Sequence, residues 1–197
     1  EDKWPAGTYY LRETTAPVGY TAAELTWTVK IAAGKATIST PGGTTVTEVK
    51  NTSRLRLKLK VLGPLGEELP GAVLRVTRDN GSPMLYKTNE AGAALLEQMP
   101  AGDYIIQLAG TPTGYVPEDS APNLKAEYGT LTYLDTANTA WQLEQCEGEE
   151  YTYLLTLELK ELHILPSTGG TGTVPFTLAG AALMAVAVLL PGRKKVK

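Results

Sequence analysis

The chain has one cysteine, Cys146, and one histidine, His163. A lone thiol closes no internal disulfide and builds no cysteine-based zinc site. Only one histidine is available to a Ser/His/Asp arrangement, and no catalytic constellation surrounds it. The residues that invite chemistry lie near the C-terminus, in Leu165-Pro166-Ser167-Thr168-Gly169. Pro166 fixes its own φ and biases Leu165 toward an extended form, a shape that suits an enzyme groove. Gly169-Gly170-Thr171-Gly172 then gives flexible, exposed backbone that such an enzyme can reach.

Elements on both sides position this segment. Val174 to Leu190 is a run of 17 residues without charge. As a helix it spans roughly 25 Å, at the short end for a membrane crossing. Pro191 and Gly192 follow, then Arg193, Lys194, Lys195 and Lys197. A basic cluster just after an apolar span marks the cytoplasmic side. The plain alternative is an ordinary C-terminal membrane anchor.

Upstream the pattern is all-β. Arg54–Val61 alternates strictly, with Leu55, Leu57, Leu59 and Val61 on one face and four basic residues on the other. Further strands are expected at 8–13, 25–31, 72–78, 104–108, 130–134, 140–143 and 151–160, with a tight turn at Asp79-Asn80-Gly81. Trp27 and Trp141 fall inside strand patterns and read as packing residues. The whole chain carries a net charge of −3, with 18 basic and 21 acidic residues. A chain cut within Gly169–Thr173 keeps 14 basic residues and all 21 acidic ones, a net of −7. Such a body repels phosphate backbones, which argues against nucleic acid as a partner.

An internal repeat organises the strands. Pro5-Ala6-Gly7-x-Tyr9 with Pro17-x-Gly19-Tyr20 recurs as Pro100-Ala101-Gly102-x-Tyr104 with Pro112-x-Gly114-Tyr115, always 95 residues on. A second echo pairs residues 47–51 with 157–161, at an offset of 110. Residues 1–53 therefore read as the back half of one β domain and 54–163 as a complete second copy. The chain begins at Glu1 in mid-pattern, without Met or signal peptide, and is expected to be the C-terminal part of something longer.

The C-terminus resembles a Gram-positive cell-wall sorting signal of the LPXTG type. The motif at 165–169, a Gly-rich linker completing 164–173, the apolar span 174–190 and the basic tail 191–197 stand in the required order. The resemblance implies that a sortase is the partner and this chain the substrate. The sortase thiolate attacks the Thr168 carbonyl, releases Gly169 onward, and passes the acyl group to an amine. That amine belongs to a peptidoglycan precursor or to a lysine of a pilin subunit. The implied location is the Gram-positive cell surface, after a transient single membrane pass.

The repeat resembles the Cna protein B-type domain, a prealbumin-like and immunoglobulin-like β-sandwich of pilins and surface adhesins. Residues Tyr10 to Tyr20 match that family's Glu-containing box. In such domains a lysine on the first strand bonds to an asparagine on the last, beside a buried glutamate. Burial favours a neutral amine and a neutral acid, and the glutamate shuttles protons while ammonia leaves. By resemblance, the first domain keeps Glu13 and Asn51, with its lysine upstream of Glu1; Lys3 lies in the wrong place. In the second domain the three positions fall on Val61, Leu108 and Glu161, so this domain is expected to form no isopeptide bond. Lys60 faces away from the Leu57 and Leu59 side.

The remaining residues read plainly. Cys146 is an idle thiol or an intermolecular partner, and His163 belongs to a linker. Glu147, Glu149 and Glu150 form an acidic turn. No metal or cofactor is implied. The expected whole is tandem sandwiches followed by one transmembrane helix, a non-enzymatic stalk or pilin subunit. Two alternatives stay open: a module binding a host or matrix protein, and the stem of a surface enzyme whose catalytic domain lies upstream.

Overall fold

The computed structural model describes residues 4–134 and 140–163. The expected transmembrane helix, sorting motif and basic tail lie outside these residues. Among the described residues every regular element is a strand. Residues up to Leu162 form one compact unit.

The N-terminal part is a single antiparallel sheet. It contains β1 (Gly7–Arg12), β3 (Thr26–Ala32), β4 (Lys35–Ser39) and β5 (Thr45–Val46), in the order β1-β3-β4-β5. Cross-strand partners share a face. Tyr9, Val29, Ile38 and Val46 therefore form one row, and Leu11 with Trp27 extends it. Thr8, Tyr10, Thr28, Lys30 and Thr37 occupy the other face. The sheet thus has an apolar side, but no second sheet packs on it among the described residues. A two-stranded ribbon of β2 (Tyr20–Thr21) and β6 (Thr52–Ser53) closes this part.

The C-terminal part is a complete sandwich. One sheet runs β10 (Ala93–Leu96), β7 (Arg56–Leu62), β15 (Thr152–Glu158), β14 (Trp141–Gln145). The other runs β13 (Thr130–Tyr133), β12 (Asn123–Glu127), β11 (Gly102–Gly110), β8 (Val73–Arg78), β9 (Met84–Lys87). The alternation along β7 does what it predicts: Leu57, Leu59 and Val61 are fully buried. They join Leu155 and Leu157 of β15 in one core with Leu74, Ile106 and Leu124 of the facing sheet. Each such leucine contributes about 1.5–3 kcal/mol of burial. The pairing of β7 with β15 is parallel, from Thr152↔Arg56 to Glu158↔Leu62, whereas the other strand pairs are antiparallel.

Trp27 and Trp141 are both buried, as their strand positions suggested. The turn at Asp79-Asn80 has positive φ at both residues (48° and 57°), and Gly81 N–H donates to Arg78 O at 2.7 Å. This is the hairpin geometry that matches strand twist. It joins β8 to β9, a strand the sequence pattern missed along with β4, β10, β12 and the two-residue β2, β5 and β6. β9 is a short edge strand with Met84 and Leu85 exposed, so it shows no inward alternation. β12 does alternate, but through Leu124 and Ala126 alone, and alanine carries little strand preference.

The structure lengthens the repeat. β1, β3 and β4 match β11, β12 and β13, and the hairpin Ala33-Gly34 matches Tyr128-Gly129 at the same offset of 95. The two parts meet where the loop after β1 touches the β12–β13 hairpin. Arg54 N–H donates to Gly19 O at 2.8 Å. A Cβ placed on Gly19 would stand 2.4 Å from Gly129 backbone atoms.

Candidate functional site

Glu13 and Asn51 are 38 residues apart in sequence and touch in the fold. Asn51 Nδ2 donates to Glu13 Oε1 at 2.7 Å, and Glu13 Oε2 accepts Ala23 N–H at 3.1 Å. β1 delivers Glu13 just past its last residue, and the irregular segment between β5 and β6 delivers Asn51. Both residues are half-buried. Asn51 Oδ1 is buried and has no hydrogen-bond partner among the described residues. A buried carbonyl without a donor costs free energy, so this corner is one polar group short of satisfied.

The matching corner of the sandwich is apolar. Val61 is fully buried, and Leu108 packs against the same core cluster. Glu161 is exposed and bridges to Tyr115. That bridge corresponds to the pairing of Tyr20 with Ser53, and Leu162 N–H to Gly114 O repeats Arg54 N–H to Gly19 O, both at 2.8 Å. Backbone pairing therefore matches Glu161 to Ser53, and Leu159 to Asn51. Leu159 is buried and donates its N–H to Leu62 O. The sequence echo ran two residues out of step here, because the final strands match at an offset of 108 rather than 110. The structure brings Val61, Leu108 and Leu159 into one core and leaves Glu161 outside it.

Polar clamps tie the ends of the sandwich. Tyr115 Oη donates to Glu67 Oε1 at 2.8 Å. Glu67 is held below the usual carboxylate range, first by its own backbone N–H and then by the Tyr115 hydroxyl. The same bond raises the Tyr115 phenol above its ordinary value. The acidic turn is engaged rather than free: Glu149 pairs with Lys58 at 2.6 Å and Glu150 with Arg54 at 2.9 Å. The Lys58 contact lowers the Glu149 carboxyl, and Glu149 raises the Lys58 amine. Lys60 pairs with Glu68 at 3.1 Å, on the side away from the core. Cys146 is a half-buried free thiol, and His163 is exposed. Lys3, Leu165–Gly169, Arg193–Lys195 and Lys197 lie outside the described residues.

Comparison with known families gives two matches. A model of the SpaA prealbumin-like fold domain matches residues 2–50 and 59–139. A model of the LPXTG cell wall anchor motif matches residues 162–197. Among curated proteins none matches. Among solved structures, the C-terminal fragment of the pilus adhesin SpaC from Lactobacillus rhamnosus GG aligns at a TM-score of 0.50 and 16% identity, over 83% of this chain and 79% of that one. A longer form of SpaC from the same organism aligns at 0.50 and 15%, over 81% of this chain and 25% of that one. The group B streptococcus pilus 2b backbone protein aligns at 0.44 and 16%, over 80% and 57%. The family matches and the all-β architecture agree with the sequence reading of prealbumin-like sheets ahead of a wall anchor. The chain belongs to the SpaA prealbumin-like fold family and, through its LPXTG motif, is anchored at the Gram-positive cell surface.

Proposed function

We propose that this protein is a non-enzymatic stalk or pilin subunit that a sortase joins covalently through Thr168. The observation carrying this reading is the sequence of parts at the C-terminus: motif, apolar span and basic tail follow one another inside the matched anchor region 162–197. A sortase thiolate attacks the Thr168 carbonyl, the Thr168–Gly169 amide breaks, and the Gly169 amine leaves with a proton. An amine on a peptidoglycan precursor or on a pilin lysine then attacks the thioester and restores the thiol. The apolar span and basic stop hold the chain in the membrane until this happens.

Residues 1–53 act as the back half of one domain and 54–163 as a whole one. The open apolar side of the β1-β3-β4-β5 sheet supports this division, because β1, β3 and β4 match only part of one sheet of the sandwich. In the first domain Glu13 and Asn51 are two members of an isopeptide site, and an upstream lysine is the third. Its amine attacks the Asn51 side-chain carbonyl carbon, an amide forms and ammonia leaves, with Glu13 moving protons. The unpaired Asn51 Oδ1 fits a site waiting for that partner. The second domain forms no such bond, since Val61, Leu108 and Leu159 offer no amine, acid or amide.

The test is a blot of cell-wall extract from the native host, probing residues 54–163, with wild type beside Thr168→Ala. A high-mass ladder lost in the variant means incorporation into a polymer. A single wall-released band lost in the variant means a monomeric anchored stalk. A variant identical to wild type, with all signal in the membrane, overturns the sortase reading.

A further inference from the structure

The outer face of the N-terminal sheet carries charge of one sign. Alternation puts Arg12 of β1, Lys30 of β3 and Lys35 of β4 on the side opposite the Tyr9, Val29 and Ile38 row. All three are exposed. Their neighbours on this side bear hydroxyls, apart from Ala32, and Tyr10 stands 75% exposed among them. No Asp or Glu of β1, β3, β4 or β5 lies there. Among the described residues Arg12, Lys30 and Lys35 form no ion pair. Glu13, the acid next to Arg12, is turned to Asn51 and the Ala23 N–H. Whatever sheet covers the Tyr9 row lies on the opposite side, so this face stays open in a completed domain.

Elsewhere the chain balances its basic residues. Arg54, Lys58 and Lys60 pair with Glu150, Glu149 and Glu68. The copied face of the sandwich, 95 residues on, is a closer control. There Asp103 stands at the place of Thr8, Gln107 at Arg12, Glu127 at Ala32 and Thr130 at Lys35. Lys125 keeps the charge of Lys30, but it pairs with Glu127 at 2.9 Å. The copied strands thus carry one positive and two negative charges where β1, β3 and β4 carry three positive ones. The chain cut after Thr168 has 14 basic and 21 acidic residues, so the basic face runs against the trend of the body. Register and strand spacing set Arg12 and Lys30 about 14 Å apart and Lys30 and Lys35 about 8 Å apart. The three make a diagonal stripe about 22 Å long, with Tyr10 beside its course.

We propose that this face holds an anionic polymer of the cell wall, a flexible chain of polyol units joined by phosphodiesters. The cations meet successive phosphates, the threonine hydroxyls donate to phosphate oxygens, and the Tyr10 ring covers the carbon chain between them. The anchor motif places the chain at the wall, and this sheet belongs to the second domain from that anchor, whatever lies upstream. An anionic wall polymer is therefore the polyanion within reach. The acidic remainder of the body does not prevent the contact, because its field is screened beyond about 8–10 Å in physiological salt. A nucleic-acid duplex is a stiff rod whose charge runs on past the stripe, whereas a thin flexible chain follows it. Three cations give a weak contact, and the density of polymer in the wall makes it effective. The protein is then held side-on as well as by its covalent end.

The test needs neither a sortase nor an isopeptide bond. The full chain is kept in a non-ionic detergent, with Arg193, Lys194, Lys195 and Lys197 replaced by Gln throughout so that the tail does not bind the probe. It is titrated into an end-labelled synthetic poly(glycerol phosphate) oligomer, and fluorescence anisotropy is read across a salt series. Binding is expected at low salt, with log K falling against log salt at a slope of about −2, as for three phosphate contacts on a single strand. Arg12→Gln, Lys30→Gln and Lys35→Gln together are expected to weaken binding roughly tenfold or more and to flatten the slope. Lys30→Arg with Lys35→Arg keeps the charge and is expected to keep the slope, which separates lost charge from lost fold. Lys125→Gln, on the copied face, is expected to match the parent. No binding at low salt, a triple Gln variant equal to the parent, or a double Arg variant as weak as the triple one overturns the proposal. Tighter binding of a heparin oligosaccharide of equal charge overturns the wall polymer as occupant.

Discussion

The two copies of the repeat treat the same corner in opposite ways. At Glu13 and Asn51 it is polar and leaves Asn51 Oδ1 without a partner among the described residues. At Leu108 and Leu159 it is apolar and closed. A protein carrying a complete first domain is expected to be lighter by one ammonia than its sequence mass, and Glu13→Ala to restore the full mass. Intact-mass measurement decides this, and an unmodified mass in the parent removes Glu13 and Asn51 from any bond-forming role. The Glu67–Tyr115 contact sets a second expectation. Glu67 is lowered in the fold, so its stabilisation is present above the ordinary carboxylate pKa and is lost as pH falls through the folded value. Tyr115 is raised, so its stabilisation is present below the ordinary phenol pKa and is lost as pH rises through the folded value. Denaturant titrations of Tyr115→Phe across acid and alkaline pH should lie closest to wild type at the two extremes. A constant gap at every pH would remove the bond from the stability of the fold. Glu13 and Asn51 are legible in the sequence because a surrounding box resembles a family. The Glu67–Tyr115 pair is not, since 48 residues separate its members and the repeat that holds Tyr115 does not include Glu67.

At the scale of elements, strands with strict alternation are readable and edge strands are not. β7 and β15 face a core on one side, and their leucines declare it. β9 and β10 lie at sheet edges, where side chains have less to choose between. The offset between the final strands also escapes the sequence. Local identity there is weak, and it takes the bridge of Tyr115 to Glu161 and the bond of Leu162 N–H to Gly114 O to show that Leu159 stands where Asn51 does. Leu155→Ala removes a fully buried side chain from the pairing partner of β7 and should cost about 2–5 kcal/mol, read by denaturant unfolding. A cost near that of a surface substitution would mean that the sandwich core is not packed as described.

For the whole molecule, stability should divide between the two parts. The sandwich packs two sheets around a shared core, while the N-terminal sheet has one apolar side without a facing sheet among the described residues. Hydrogen exchange on this chain should therefore proceed faster at β1, β3 and β4 than at β7 and β15. Equal protection throughout would mean that something covers the Tyr9, Val29 and Ile38 row. The charge imbalance, the wall-anchor order and the repeat are legible from residue types alone, because each lies in contiguous stretches of chain. The joint at Gly19 and Gly129 is not, because two glycines in separate loops carry no pattern of their own. The parallel pairing of β7 and β15 bears on tension. The chain enters the sandwich at the start of β7 and leaves at the end of β15, so a pull along the chain drags these neighbouring strands in opposite directions. The seven register pairs from Arg56 to Leu62 are then loaded in shear, all together, rather than peeled open one at a time. A link anchored to a wall at one end and pulled from the other can in this way resist force with hydrogen bonds alone, where its neighbour would rely on a covalent bolt.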